Sequence, residues 1–228
     1  MTGAETRTVS FRSGAANLDA YLAHPEGEGS FPGVVIIHEA FGLNDNIKRV
    51  ANRFADEGYV ALAVDLFAGR NHAVCMARFM AGMLLRPFDN SGIQALKAAL
   101  GALAEQPGVD GARLGAIGFC MGGGFAIAWA CTDERLRVVA PFYGMNPRPL
   151  DAVSRACPVV GSYPKKDFTA RSGRKLDAAL ERYRIPHDIK IYPGARHSFF
   201  NDESRNHDPA ASEDSWRRTL AFFREHIG

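Results

Sequence analysis

Gly118-Phe119-Cys120-Met121-Gly122-Gly123-Gly124 follows the strand-like run 113–119 and opens an apolar helix. A residue flanked two positions away on each side by glycine, at a strand-to-helix junction, has the spacing of a nucleophile elbow. Gly118 and Gly122 remove the Cβ atoms that would clash in so tight a turn, so the central side chain can stand above the sheet in strained backbone geometry. That residue is Cys120, where Ser is usual. A thiol yields its proton more readily than a hydroxyl and its thiolate is intrinsically nucleophilic, so a low-pKa cysteine here could carry an acyl intermediate. The competing reading is a buried thiol between glycines that serve close packing. Spacing, preceding strand and following helix together favour the nucleophile.

Outward from the elbow, strand and helix patterns alternate. Gly33–His38 is a continuous apolar run, followed by Ile47, Val50, Ala51, Phe54 and Ala55 at helical spacing and closed by Gly58. Tyr59–Leu66, apolar except for Asp65, suits a strand buried on both faces of a parallel sheet. Val74–Leu85 and Ile93–Leu103 read as helices. Beyond the elbow, Leu136–Tyr143, Cys157–Tyr163 and Asp188–Tyr192 read as strands, and Arg174–Arg184 and Ser212–His226 as helices. At the start, Thr8–Arg12 and Leu18–His24 flank the loop 13–17 as an antiparallel edge. The pattern predicts an α/β architecture: a mostly parallel, doubly wound sheet flanked by helices, one domain over residues 1–228, with its ligand site at the carboxyl ends of the strands.

Composition narrows the partners. The chain has 228 residues, 46% of them hydrophobic, enough for one substantial core. Its 27 basic and 25 acidic residues are interspersed, leaving a net charge of +2 and no footprint for nucleic acid or an anionic membrane. The expected partner is a small molecule, bound by a monomer or small homo-oligomer. Met1–Gly14 lacks the apolar core of a secretory signal, and the apolar stretch around Phe125–Cys131 is too short to span a membrane, so a cytoplasmic protein is expected. Cys75, Cys120, Cys131 and Cys157 have no CxxC spacing, which points to reduced thiols, with no disulfide framework and no metal site.

A thiol nucleophile needs a base and a group to orient it. His197 falls in the loop after the last strand, and Asp167 just after the strand Cys157–Tyr163. Nucleophile, acid and histidine then follow one another in the order used by α/β-hydrolases. Asp167 could also be one charge of a solvated Lys165-Lys166-Asp167 cluster; Asp188 and Asp202 are the fallback acids. The loop Ile37-His38-Glu39-Ala40-Phe41-Gly42 is placed to supply one oxyanion-hole N–H, complementing that of Met121. Glu39 is either an ordinary loop carboxylate or a group that controls the protonation of Cys120. Phe41, Tyr143, Phe199 and Phe200 are expected near the nucleophile, as a substrate wall or as core packing.

These residues resemble the dienelactone hydrolase family over nearly the whole chain from about Leu18. The resemblance rests on His38-Glu39-Ala40-Phe41-Gly42, the strand from Gly58-Tyr59 to Asp65-Leu66, the elbow itself, Phe142-Tyr143-Gly144 and Gly194-Ala195-Arg196-His197-Ser198-Phe199. It implies an α/β-hydrolase fold, a Cys120–Asp167–His197 triad, and an oxyanion hole from the amides of Ala40 and Met121. It also implies that Glu39 pairs with the resting thiol and is released when substrate binds. Asn201 stands where an arginine of the family clamps a substrate carboxylate, which leaves the substrate open; Arg205, Arg78 and Arg86 are the basic residues that could substitute. A second departure is Tyr163-Pro164-Lys165-Lys166-Asp167, where the family commonly has a glycine near the acid. The expected activity is that of a cysteine-nucleophile hydrolase opening a lactone or cleaving a carboxylic ester, without a cofactor. The alternative is a non-catalytic relative that binds a small ligand or a partner protein. A nucleotide site is disfavoured because no G-x-G-x-x-G is present, and a metalloprotease because H-E-x-x-H is absent.

Overall fold

The computed structural model describes residues 4–228, so the first three residues of the polar amino-terminal stretch lie outside the described residues. In chain order the elements are β1 (Glu5–Ser13), β2 (Ala16–His24), β3 (Phe31–Ile37), α1 (Asp45–Asp56), β4 (Val60–Val64), α2 (His72–Leu85) and α3 (Ser91–Ala104). There follow β5 (Val109–Phe119), α4 (Met121–Ala130), β6 (Leu136–Phe142), β7 (Val159–Pro164), α5 (Ala170–Arg182), β8 (His187–Tyr192) and α6 (Pro209–Ile227). The strands form one eight-stranded sheet ordered β1-β2-β4-β3-β5-β6-β7-β8. From β4 to β8 the neighbours are parallel, while β1–β2 and β2–β4 are antiparallel. This is the expected doubly wound sheet with an antiparallel edge.

Alternation along β3 sets the two layers. Val35 and Ile37 enter a core shared with α3, α4 and α5, whereas Val34 and Ile36 enter a core shared with α1 and α6. Burial on both faces explains why the central strands read as unbroken apolar runs. All ten residues of α4 are buried, which accounts for its lack of a polar face. Three helices start on asparagine caps: Asn44, Asn71 and Asn90 accept backbone N–H bonds from the first turns of α1, α2 and α3.

Some boundaries differ from the expectation for local reasons. β1 and β2 pair up to Ser13–Ala16 around a turn in which Gly14 has φ +58°, tighter than the expected five-residue loop. β5 begins four residues before Arg113, because Val109 pairs with Phe31 ahead of a bulge. α6 begins three residues before Ser212, since Asp208 caps the N–H of Ala211 and Pro209 occupies the first turn.

The chain runs from β3 to β4 on one side and crosses to β5 on the other, so the loops leaving β3 and β5 part at a topological switch point. Close approach there depends on two glycines. A Cβ on Gly118 would strike the backbone of Gly122, and one on Gly122 would strike the carbonyls of Ile37 and, at 2.8 Å, His38. Backbone atoms cannot rotate away as a side chain can. Gly122→Ala is therefore expected to cost about 3 kcal/mol or more and to lower the melting temperature by roughly 6–12 °C. Calorimetry checks this, and a melting temperature unchanged in that variant would contradict the packing argument.

Candidate active site

Cys120 sits between β5 and α4 with φ 55° and ψ −113°. A non-glycine residue there is strained, at a cost of about 1–3 kcal/mol that the surrounding packing must offset. Its N–H is tied to the Phe142 carbonyl at 3.0 Å. Tyr143 and Ser198, two further non-glycine residues with positive φ, flank the same site. The strain thus gathers around the thiol.

The partner loop is brought in by sheet register, because Ile37 pairs with Gly118 and so sets His38-Glu39-Ala40 beside Phe119-Cys120. His38 is fully buried; its Nδ1–H donates to the Glu39 carbonyl at 2.5 Å and its Nε2 accepts the Leu66 N–H at 3.2 Å. Burial depresses its pKa and keeps this tautomer neutral. The Glu39 carbonyl and the Ala40 N–H belong to one planar, trans peptide, so holding the oxygen aims the N–H the other way. That N–H and the Met121 N–H both point at Cys120 Sγ. Two amide donors therefore converge at the sulfur from the two loops.

Asp167 and His197 are also joined. The loop after β7 is pinned to the end of β8 and the loop beyond it by Lys165 N–H to Tyr192 O at 2.8 Å and Lys166 N–H to Ala195 O at 3.2 Å. While Lys165 and Lys166 face solvent, the Asp167 carboxylate turns inward and is 2% exposed, which excludes the solvated-cluster reading. One carboxylate oxygen accepts the Thr169 N–H, and the other accepts His197 Nδ1–H, both at 2.6 Å. The bond to Nδ1 leaves Nε2 as the basic nitrogen. The imidazole lies between Tyr143, 5.0 Å away between centroids, and Phe168, stacked at 5.6 Å. The fallback acids are engaged elsewhere: Asp188 with Arg218 and Asp202 with Arg49.

Glu39 departs from the pairing that the resemblance implies. It is buried, and Ser198 Oγ and Asn201 Nδ2 donate to its two oxygens at 2.8 Å each. Among the described residues it makes no hydrogen bond to Cys120 and has no basic partner. It acts on the thiol through its charge. Burial first, and the Glu39 charge second, push the Cys120 thiol up to about 11, against the pull of the two amides. The expected low-pKa cysteine is thus a protonated thiol in the resting protein. Burial and the same carboxylate also raise the neighbouring Tyr143 hydroxyl well above its ordinary range, so it stays neutral.

Cys120, Met121, Ala40, Tyr143 and His197 line one cavity of about 280 Å³, completed by Met76, Met80, Met83, Leu84, Gly124, Met145, Asn146, Arg148, Phe168 and Thr169. The aromatic wall is only partly as expected. Phe199 is fully buried against Phe142, Tyr143 and Tyr192, and Phe200 packs on Phe119 and Phe142, so both are core residues. Phe41 is 64% exposed and lies outside the cavity lining. Asn201 binds Glu39, and none of the three candidate arginines lines the cavity: Arg78 borders a separate cleft, Arg86 meets Asp89 at 3.7 Å and Arg205 is exposed. The α2 methionines and Arg148 were not singled out from the sequence. The available signal was an excess of apolar residues around a surface helix.

The charge account makes a prediction about the thiol. Alkylation of Cys120 by iodoacetamide is expected to climb with pH toward a midpoint near 11, and Glu39→Gln is expected to move that midpoint down and raise labelling at neutral pH about tenfold. Peptide mapping separates this signal from Cys131 and Cys157, which burial pushes up to about 12. An unmoved midpoint would contradict the role of Glu39.

The chain is similar to known proteins over nearly its whole length. Over 254 aligned residues the chain is 32% identical to a Saccharolobus solfataricus protein named "Putative carboxymethylenebutenolidase", covering 96% of this chain and 98% of the relative. It is 30% identical to "Protein usf" of Aquifex pyrophilus over 96% of this chain and 98% of that protein. A solved dienelactone hydrolase-like promiscuous phosphotriesterase from metagenomic libraries superposes with a TM-score of 0.88 at 28% identity, over 99% of both chains. The profile of the dienelactone hydrolase family matches residues 18–227, and with an eight-stranded α/β-hydrolase sheet carrying these loops at its switch point, the chain belongs to the dienelactone hydrolase family and is a hydrolase.

Proposed function

We propose that this protein cleaves a carboxylic ester or lactone with Cys120 as nucleophile, through an acyl-enzyme intermediate. The observation that carries the reading is one cavity in which the Cys120 thiol, two converging amides and the Asp167-oriented His197 meet. With burial and the Glu39 charge holding its pKa up, the resting thiol keeps its proton. When a carbonyl enters, Nε2 of His197 takes that proton as Sγ adds to the carbonyl carbon. The oxyanion forms between the N–H groups of Ala40 and Met121, whose bonds are stronger to the charged oxygen than to the starting carbonyl. Asp167 stabilises the imidazolium without taking the proton. Collapse expels the alkoxide, which His197 protonates, and a water deprotonated by His197 then releases the acid and restores the thiol.

Glu39 has a second part in this reading. Its uncompensated charge disfavours thiolate until a substrate displaces water and brings a carbonyl to the amides, so the nucleophile is protected between turnovers. Cys120→Ala is expected to reduce turnover of aryl esters and lactones at least 10³-fold, with Asp167→Ala losing less because the imidazole itself remains. Steady-state kinetics on a pooled ester and lactone panel checks both. Full activity in Cys120→Ala would overturn the proposal; a panel with no turnover, but with a ligand that raises the melting temperature, would favour a binding protein.

A further inference from the structure

Five of the chain's six methionines line the catalytic cavity: Met76, Met80 and Met83 from α2, Met121 at the elbow and Met145 after β6. Leu84 and Phe168 extend the same apolar wall. Thioether side chains are unbranched and polarisable, so they adjust to hydrocarbon of varied shape. The helix that supplies three of them is lightly held. α2 buries only Cys75 and Phe79 among its fourteen residues, while Val74, Met80, Leu84 and Leu85 are 49–77% exposed. No carboxylate lines the cavity among the described residues, and its single guanidinium, Arg148, is exposed. About 280 Å³ is roughly nine water-sized volumes at about 30 Å³ each, far more than an acetyl group fills.

We propose that the site takes neutral esters or lactones bearing a hydrocarbon group of about six to eight carbons, seated against the methionine wall of α2. The inference rests on the ester or lactone hydrolase reading above and adds the substrate class. Each methylene withdrawn from water at that wall raises kcat/KM by about threefold to fourfold. A charged carboxylate in place of the terminal methyl has no partner among Met76, Met80, Met83 and Leu84 on the α2 side of the wall and is desolvated there at a cost.

The test uses two homologous series with the intact protein: p-nitrophenyl esters of straight acids with two to eight carbons, and acetate esters of straight alcohols of the same lengths. The expected result is a rise in kcat/KM of at least tenfold between two and six carbons in one series. The corresponding terminal carboxylate is expected to be at least tenfold poorer than its neutral counterpart. A flat or falling profile in both series, or a carboxylate substrate as good as the neutral one, would overturn the proposal. Absence of any turnover together with absence of an adduct on Cys120 would instead overturn the hydrolase reading. The double variant Met76→Gln, Met83→Gln is expected to flatten the slope with chain length; an unchanged slope in a folded variant would remove α2 from the wall.

Discussion

Two backbone segments pass at Gly118 and Gly122 with no room for a side-chain carbon, and the site depends on that contact. It lets α4 start directly against the ends of β3 and β5, which forces Cys120 into a left-handed turn and turns the Met121 N–H toward its sulfur. It also brings in the loop after β3, where His38 holds the Glu39–Ala40 peptide and so aims the second donor. Two amide donors are thereby fixed beside the sulfur before any substrate arrives, the arrangement that the proposed mechanism needs for an oxyanion.

The electrostatics pull in opposite directions at the same atom. Two amides favour the thiolate, while burial and Glu39 favour the thiol, and the balance leaves sulfur protonated at neutral pH. Asn201 and Ser198 hold Glu39 without a positive charge. A neutral amide can hydrogen-bond the carboxylate without cancelling its charge, whereas a guanidinium would do both. Asn201 thus has a place in the structure: it holds the carboxylate whose charge disfavours the thiolate of Cys120.

Much of this was legible in the sequence because it rests on local signals. The elbow glycines and the apolar strands buried on both faces are short-range patterns tied to backbone geometry, and the order of Cys120, Asp167 and His197 follows once the alternation of strands places each on a loop at one sheet edge. Element ends were read less well where caps and turns decide them, as at Asp208 and Gly14. Direction of a side chain was harder still. Phe199 and Phe200 follow His197 directly yet point into the core, while Met80 and Met83, more than a hundred residues away in sequence, face it across the cavity. The state of the thiol was least legible, since it depends on a carboxylate brought near by sheet register, with no cation beside it among the described residues.

The central claim is that Cys120 becomes acylated with His197 as the base that frees it. Intact-mass and peptide-mapping spectrometry on the His197→Ala variant, after exposure to a p-nitrophenyl ester, tests this most directly. Hydrolysis of the intermediate needs the base, so an adduct of the acyl mass is expected to accumulate on Cys120 and on no other cysteine. An adduct located elsewhere, or ester turnover with no adduct on Cys120 in either the variant or the parent protein, would contradict the account.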